Sequence, residues 1–274
     1  MGSPGTASTT RYAGPKAPRT VSAPPRGILL RSHVPSPAAR DALGDLATEA
    51  PRAVVSEVRI PAQGADLQGD LRVPAGARGL VFFAHGSGSG RRSPRNRFVA
   101  GALEDAGLGT LLFDLLTKAE GAEDERTGRL RFDVGLLAGR LAGAARWALD
   151  EPSTRGLSQG FFGASTGGAA ALVAAASLGD RVRAVVSRGG RPDLAGEALP
   201  RVRAPTLLIV GGRDRGVLAL NEGAYAALAC EKRLEVVPGA THLFPEPGAL
   251  EEVARLAADW FLRRLGAPAG RAPA

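Results

Sequence analysis

The chain has 274 residues, 44% of them hydrophobic, which fits one domain built on a single core. Its formal net charge is +8, yet residues 1–40 hold Arg11, Lys16, Arg19, Arg26, Arg31 and Arg40 and no acid, so six of the eight charges sit in that leader and the body is nearly balanced. That distribution argues against nucleic acid as a partner, because phosphate binding needs a broad basic face. The one cysteine, Cys230, excludes an internal disulfide and fits a cytoplasmic protein. No apolar run reaches the roughly 20 residues of a membrane span, so no membrane association is expected.

In chain order, the leader carries Pro15, Pro18, Pro24, Pro25, Pro35 and Pro37, which break any amphipathic helix. Residues 1–50 are read as a disordered, basic, proline-rich tail, 51–266 as the folded domain and 267–274 as a second disordered tail. Val54–Ile60 and Asp66–Val73 read as an antiparallel strand pair around Ala62-Gln63-Gly64. Gly79–Ala84 is a buried strand that opens into His85-Gly86-Ser87-Gly88-Ser89-Gly90. Phe98, Val99, Ala102, Leu103 and Ala106 recur at helical spacing, and Gly109–Phe113 is the next strand. Leu115 to Arg131 is rich in charge and reads as a solvated loop that could border a pocket. Leu137, Leu141, Ala144, Ala145 and Ala148 mark another helix. Further strands follow at Gln159–Phe162, Val182–Ser187, Thr206–Val210 and Arg233–Val237, and Val253, Leu256, Ala257, Trp260 and Phe261 give the last helix its apolar face. Strands alternating with helices predict an α/β fold, a mostly parallel central sheet with helices on both faces. The segment from Arg188 to Arg203 is too short to make a lid domain.

The most informative stretch is Gly163-Ala164-Ser165-Thr166-Gly167, placed between a strand and the small-residue helix that begins near Gly168. A G-x-S-x-G sequence in that context forms a sharp turn that lifts a serine hydroxyl above the sheet. Alone, the same string also describes a glycine-rich turn whose serine caps the helix. A nucleophilic serine needs a base and an acid that orients it. Of the three histidines only His242 follows Ser165, on the loop after Arg233–Val237. Asp214 ends the turn Gly211-Gly212-Arg213-Asp214 after a buried strand and is the favoured acid; Asp193 is a second candidate. The glycine-rich loop can turn backbone N–H groups inward, so the N–H groups of Ser87 and Thr166 are the candidate oxyanion donors, with Gly86 and Gly88 flanking. His85 is expected to bond loop backbone. No Gly-Lys-Ser/Thr follows the loop, which excludes a phosphate-binding P-loop. No histidine–cysteine cluster has ligand spacing, so neither metal nor cofactor is expected.

With the His85–Gly88 loop, the Gly163–Gly167 elbow, the Gly211–Asp214 turn and Thr241-His242, the chain resembles the α/β-hydrolase superfamily and, within it, the dienelactone-hydrolase-like group, from about Val54 to Leu265. Dienelactone hydrolases proper carry cysteine as nucleophile; Ser165 stands in its place. The resemblance implies an α/β-hydrolase fold and a Ser165–Asp214–His242 triad acting on a small-molecule ester or related acyl compound, with thioesterase, lactonase and acyl-peptidase chemistry, or a silent binding module, as alternatives. It also points to a substrate carboxylate held by arginine: Arg188 at a strand end, or Arg91 and Arg92 after the glycine-rich loop. The chain is similar as well to hydrolase modules fused behind phosphoribosyltransferase-type domains, although no such domain is legible in it. The oligomeric state is not fixed by the sequence.

Overall fold

The computed structural model of the protein describes residues 53–266. The segments read as disordered tails, 1–50 and 267–274, lie wholly outside the described residues.

The sheet has eight strands in the order β1-β2-β4-β3-β5-β6-β7-β8. β1 (Val54–Ala62) and β2 (Ala65–Val73) form the expected hairpin, and β2 joins β4 (Gly109–Phe113) antiparallel. From there β3 (Leu80–Ala84), β5 (Gln159–Ala164), β6 (Val182–Arg188), β7 (Thr206–Gly211) and β8 (Lys232–Val237) pair parallel. Every residue of β3, β4, β5 and β7 is buried, which is why these strands read as unbroken apolar runs: helices cover both faces. On one face, α1 (Pro94–Asp105) and α6 (Ala249–Leu265) close over Val81, Phe83, Phe162 and Val186. On the other, α3 (Val134–Asp150), α4 (Thr166–Leu178) and α5 (Arg215–Ala227) close over Phe82, Phe161, Val185 and Leu208. The central rings meet across β3 and β5, Phe82 edge-on to Phe161 at 5.8 Å and Phe83 against Phe162 at 4.9 Å. Burial of each such ring contributes about 1.5–3 kcal/mol.

Two details differ from the sequence reading. Phe98 is 44% exposed, because the buried face of α1 runs through Asn96, Val99, Ala100 and Leu103. The start of that helix is set by Ser93, whose hydroxyl accepts from the Asn96 N–H, followed by Pro94. The larger difference is at Leu115–Arg131, expected as a loop: Lys118–Thr127 is a helix, α2. It has no apolar stripe to betray it, and its one buried residue is Asp124. Its ends and ion pairs hold it instead. Thr117 and Glu120 form a reciprocal capping box, and Gly128 ends the helix in the left-handed region at φ 64°.

Two arginines tie α2 down. Arg131 grips the Asp124 carboxylate through Nε at 2.6 Å. Arg140 on α3, nearly fully buried, forks onto both oxygens of Glu120 and also donates to the Leu115 carbonyl at 2.8 Å. The Arg140 hydrogen bonds hold the Glu120 carboxyl down to about 2, against its ordinary 4.5. A depressed carboxylate stabilises the fold fully above its unfolded value and loses that stabilisation as pH falls from about 4.5 towards 2. Glu120→Gln would strand the Arg140 charge; for a pair open to solvent on one side, about 1–3 kcal/mol is at stake. The expected result is a Tm lowered by about 5 °C at pH 7, with the gap to wild type narrowing steadily below pH 4. Thermal unfolding across that range checks both; a gap independent of pH would mean that the ion pair does not anchor α2.

Candidate active site

The parallel strands end on one edge of the sheet, and the sequence-predicted residues collect there. Ser165 is the hinge between β5 and α4, at φ 51° and ψ −123°. For a residue with a Cβ this costs on the order of 1–3 kcal/mol and is held by its surroundings. The flanking glycines are explained by contact: a Cβ on Gly163 would collide with the Gly167 carbonyl, and one on Gly167 with the Ala84 carbonyl. Ser165 sits at the N-cap position of α4, yet its side chain makes no capping hydrogen bond. The reading of this serine as a helix cap is thereby removed.

The glycine-rich loop after β3 lies against this turn. A Cβ on Gly86 would come within 2.9 Å of the Ser165 Cβ. The hydroxyls of Ser87 and Thr166 are 3.1 Å apart, joining the loop to the first turn of α4. Among the described residues, no turn, loop or cap hydrogen bond engages the N–H of Ser87 or of Thr166. His85 does what was expected of it. Its Nδ1 donates to the Gly86 carbonyl at 3.1 Å, and its Nε2 accepts from the Leu115 N–H at 3.0 Å. Burial pushes its pKa down, keeping it neutral.

His242 lies on the loop after β8. Glu246 braces that loop, its carboxylate accepting from the Thr241 N–H at 3.1 Å and from the Thr241 hydroxyl at 2.7 Å. The His242 Nδ1 is 2.7 Å from the Asp214 carboxylate. Asp214 occupies the N-cap position of α5 without making a side-chain cap bond; its carboxylate turns to the imidazole instead. Asp193, the other acid considered, is engaged by the fork of Arg191 at 2.8 and 2.9 Å.

Two cavities open at this edge. The smaller, about 220 Å³, is lined by Ser165, His242, Arg188, Arg95 and Asn96 together with the glycine-rich loop. The larger, about 550 Å³, lies beneath α2 and includes Thr166, His85 and Leu116 but neither Ser165 nor His242. They share Gly86, Ser87 and Ser89. Gly88, at φ 65°, lines the larger one. The arginines divide. Arg91 is buried and neutralised, donating to Asp114 at 2.7 Å and to Asp70 at 3.2 Å, so it is spoken for structurally. Arg92 is exposed and lines neither cavity. Arg188 is 5% exposed, lines the Ser165 cavity and has no carboxylate partner among the described residues; it donates to the Asn96 side chain at 3.3 Å and lies over the Phe244 ring. Burial, then the like charge of Arg95, push its pKa down to about 10, so it stays protonated at neutral pH. Arg95 and Asn96 were missed in the sequence because α1 offered only its apolar spacing as a signal.

Among the described residues no cluster of side chains is suited to hold a metal, and no helix is long and apolar enough to cross a membrane. No family model matches the chain. Proteins from two strains of Mycobacterium tuberculosis, provisionally named phosphoribosyl transferases, are 57% identical over 212 residues, 77% of this chain and 47% of theirs. The chain thus spans about half the length of the curated relatives it matches. Est1E from Butyrivibrio proteoclasticus, 17% identical over 76% of this chain and 98% of that one at a TM-score of 0.63, shares the fold. A Pyrococcus furiosus esterase, 18% identical over 78% of this chain and 94% of that one at a TM-score of 0.61, does so too. A solved dienelactone hydrolase from Anabaena variabilis is far nearer in sequence: 57% identity over 78% of this chain and 99% of that one, with a TM-score of 0.77. At that identity and coverage the chain belongs to the dienelactone-hydrolase-like family of α/β-hydrolases.

Proposed function

We propose that the enzyme cleaves a carboxylic ester, or a related small acyl compound, by way of a covalent acyl-enzyme. The observation that carries this reading is the 2.7 Å pairing of the His242 Nδ1 with the Asp214 carboxylate at a cavity that Ser165 also lines. In the reading, Ser165 Oγ attacks the carbonyl carbon while His242 Nε2 takes its proton. Asp214 holds the proton on Nδ1 and so presents Nε2 as the base. The N–H groups of Ser87 and Thr166, the latter at the positive end of α4, receive the negative charge that develops on the carbonyl oxygen. His242 returns the proton to the leaving oxygen, and a water, activated the same way, releases the acid. Gly86 and Gly88 give the loop its close approach, and Arg188 binds substrate. The chemistry needs no cofactor and neither nucleic acid nor membrane, and it suits a cytoplasmic enzyme. Thioesters and lactones are cleaved by the same steps.

The test is direct. A fluorophosphonate probe should label Ser165, and p-nitrophenyl acetate should be turned over. A folded protein that does neither is a binding module and not an esterase.

Acyl length is a further expectation. Without a lid domain the simple expectation is a shallow site, but the cavity beneath α2 is roomy, about 550 Å³. Its wall, however, is mixed: Asp66, Gln68, Lys118 and Glu125 stand among Leu116, Ala119 and Leu137. A buried CH₂ adds about 0.8 kcal/mol only where apolar surface encloses it. Values of kcat/KM for p-nitrophenyl esters should therefore peak at short chains and fall beyond about butyrate, because charged side chains interrupt that wall; a steady rise through octanoate would mean that its apolar part encloses the whole chain.

A further inference from the structure

After β6 the chain turns through Gly189, Gly190 and Arg191, and this turn touches both the nucleophile and the base. On one side it grips the strained serine by its backbone: the Ser165 N–H donates to the Arg188 carbonyl at 3.3 Å, and the Arg191 N–H donates to the Ser165 carbonyl at 3.0 Å. On the other side it packs beneath the histidine loop. Gly189 is at φ 51°, and a Cβ there would stand 3.0 Å from the His242 carbonyl and 3.7 Å from its imidazole Cε1. The Gly189 N–H is fixed to the Ile209 carbonyl of β7 at 2.7 Å. The carbonyl of Gly190, at the middle of the turn, is held by a side chain instead: it accepts from Asn221 Nδ2 at 3.0 Å.

Asn221 is fully buried on α5, the helix whose N-cap is Asp214. Its amide also donates to the Val217 carbonyl one turn back, at 2.8 Å. Its Oδ1 has no hydrogen-bond partner among the described residues, and neither has the buried Ser187 Oγ, with which a Cβ on Gly190 would collide. A buried acceptor left open costs stability, and an apolar side chain of similar size would avoid that cost. Stability alone therefore gives no reason for an amide at this position; the bond to Gly190 does. Asn221 lines neither cavity at the sheet edge.

Resting on the serine-hydrolase reading, we propose that Asn221 is a positioning residue. Through the Gly190 carbonyl it sets the Gly189–Arg191 turn, and that turn sets the Ser165 hydroxyl against the His242 imidazole. Asn221 ties the helix that begins at the acid to the segment that bridges nucleophile and base. It touches neither substrate nor the reacting atoms. Its loss leaves the binding surfaces in place and misaligns the proton transfer between Ser165 Oγ and His242 Nε2.

Two variants test this. Asn221→Leu removes the donor and the open acceptor at similar volume, and Asn221→Ala removes both and leaves space. Each should lower kcat on p-nitrophenyl acetate by about 10–100-fold, the scale of a displacement of about 1 Å at the reacting groups. KM should stay within about twofold of wild type, because acylation and deacylation slow together and binding is untouched. Labelling of Ser165 by a fluorophosphonate should slow by a similar factor, and Asn221→Leu should melt within a few degrees of wild type. The loss should follow the missing donor, alike in both variants whatever their Tm. A folded variant with kcat within about threefold of wild type overturns the proposal, as does a raised KM at unchanged kcat. So does a loss of kcat that tracks Tm from one variant to the other, or a Tm about 10 °C or more below wild type in both, since Asn221 would then hold the fold and not the site. If wild type cleaves the ester and is labelled while the variants behave like it, this inference alone fails. If wild type neither cleaves an ester nor is labelled at Ser165, the serine-hydrolase reading fails and takes the inference with it.

Discussion

Ser165→Ala is expected to lower kcat/KM on p-nitrophenyl acetate by about 10³–10⁶, to whatever the oxyanion donors and binding alone supply. The fold should survive. The Ser165 side chain makes no capping hydrogen bond, so its hydroxyl can go without unpairing a backbone group. Alanine also suffers no more than serine at φ 51°. A Tm within a few degrees of wild type, together with loss of both turnover and fluorophosphonate labelling, is the predicted pair of results. A variant that folds and keeps near-wild-type turnover would move the nucleophile elsewhere.

Asp214→Asn is expected to cost about 10⁴ in turnover, with the site otherwise intact. The amide would still meet the His242 Nδ1, but as a donor, which forces the ring proton onto Nε2 and removes the base. The start of α5 should not suffer, because the Asp214 side chain makes no cap bond there. Asp193→Asn is the control. Its loss frees the Arg191 fork, far less consequential for proton transfer, and turnover should stay within a few-fold of wild type. Rates of the two variants on one neutral ester settle which acid serves His242. A larger loss in Asp193→Asn would reassign the acid to the turn after β6.

The two expectations were not equally legible in the sequence. The serine was marked by its glycines, whose absent side chains answer to collisions between β5, α4 and the end of β3. The histidine was fixed by elimination, being the one that follows Ser165. The acid was not fixed in that way. Asp214 and Asp193 both follow buried strands in the same periodic pattern, and either could cap a helix. The 2.7 Å approach of Asp214 to His242 favours Asp214, and it depends on the parallel pairing of β7 with β8, which brings two loops of distant sequence together.

What the sequence determined by itself was the alternation of elements. Apolar runs of five or six residues, such as Leu80–Ala84 and Thr206–Gly211, can be satisfied only between two helical layers, so the mostly parallel sheet and the edge where its strands end were readable from local pattern. What only the tertiary structure decided was whatever depends on charge rather than apolar spacing. The helix Lys118–Thr127 has no hydrophobic period; capping and the grip of Arg140 and Arg131 hold it, and those partners become known only when the chain is folded. Arg91 and Arg188 are the same residue type near the same edge. Asp70 and Asp114 neutralise the first, whereas the second is buried beside Arg95 with no carboxylate to meet it. A guanidinium gains its role from the groups around it, because burial makes an unpaired charge costly and a paired one tolerable, and those neighbours come from strands and helices far apart in the chain.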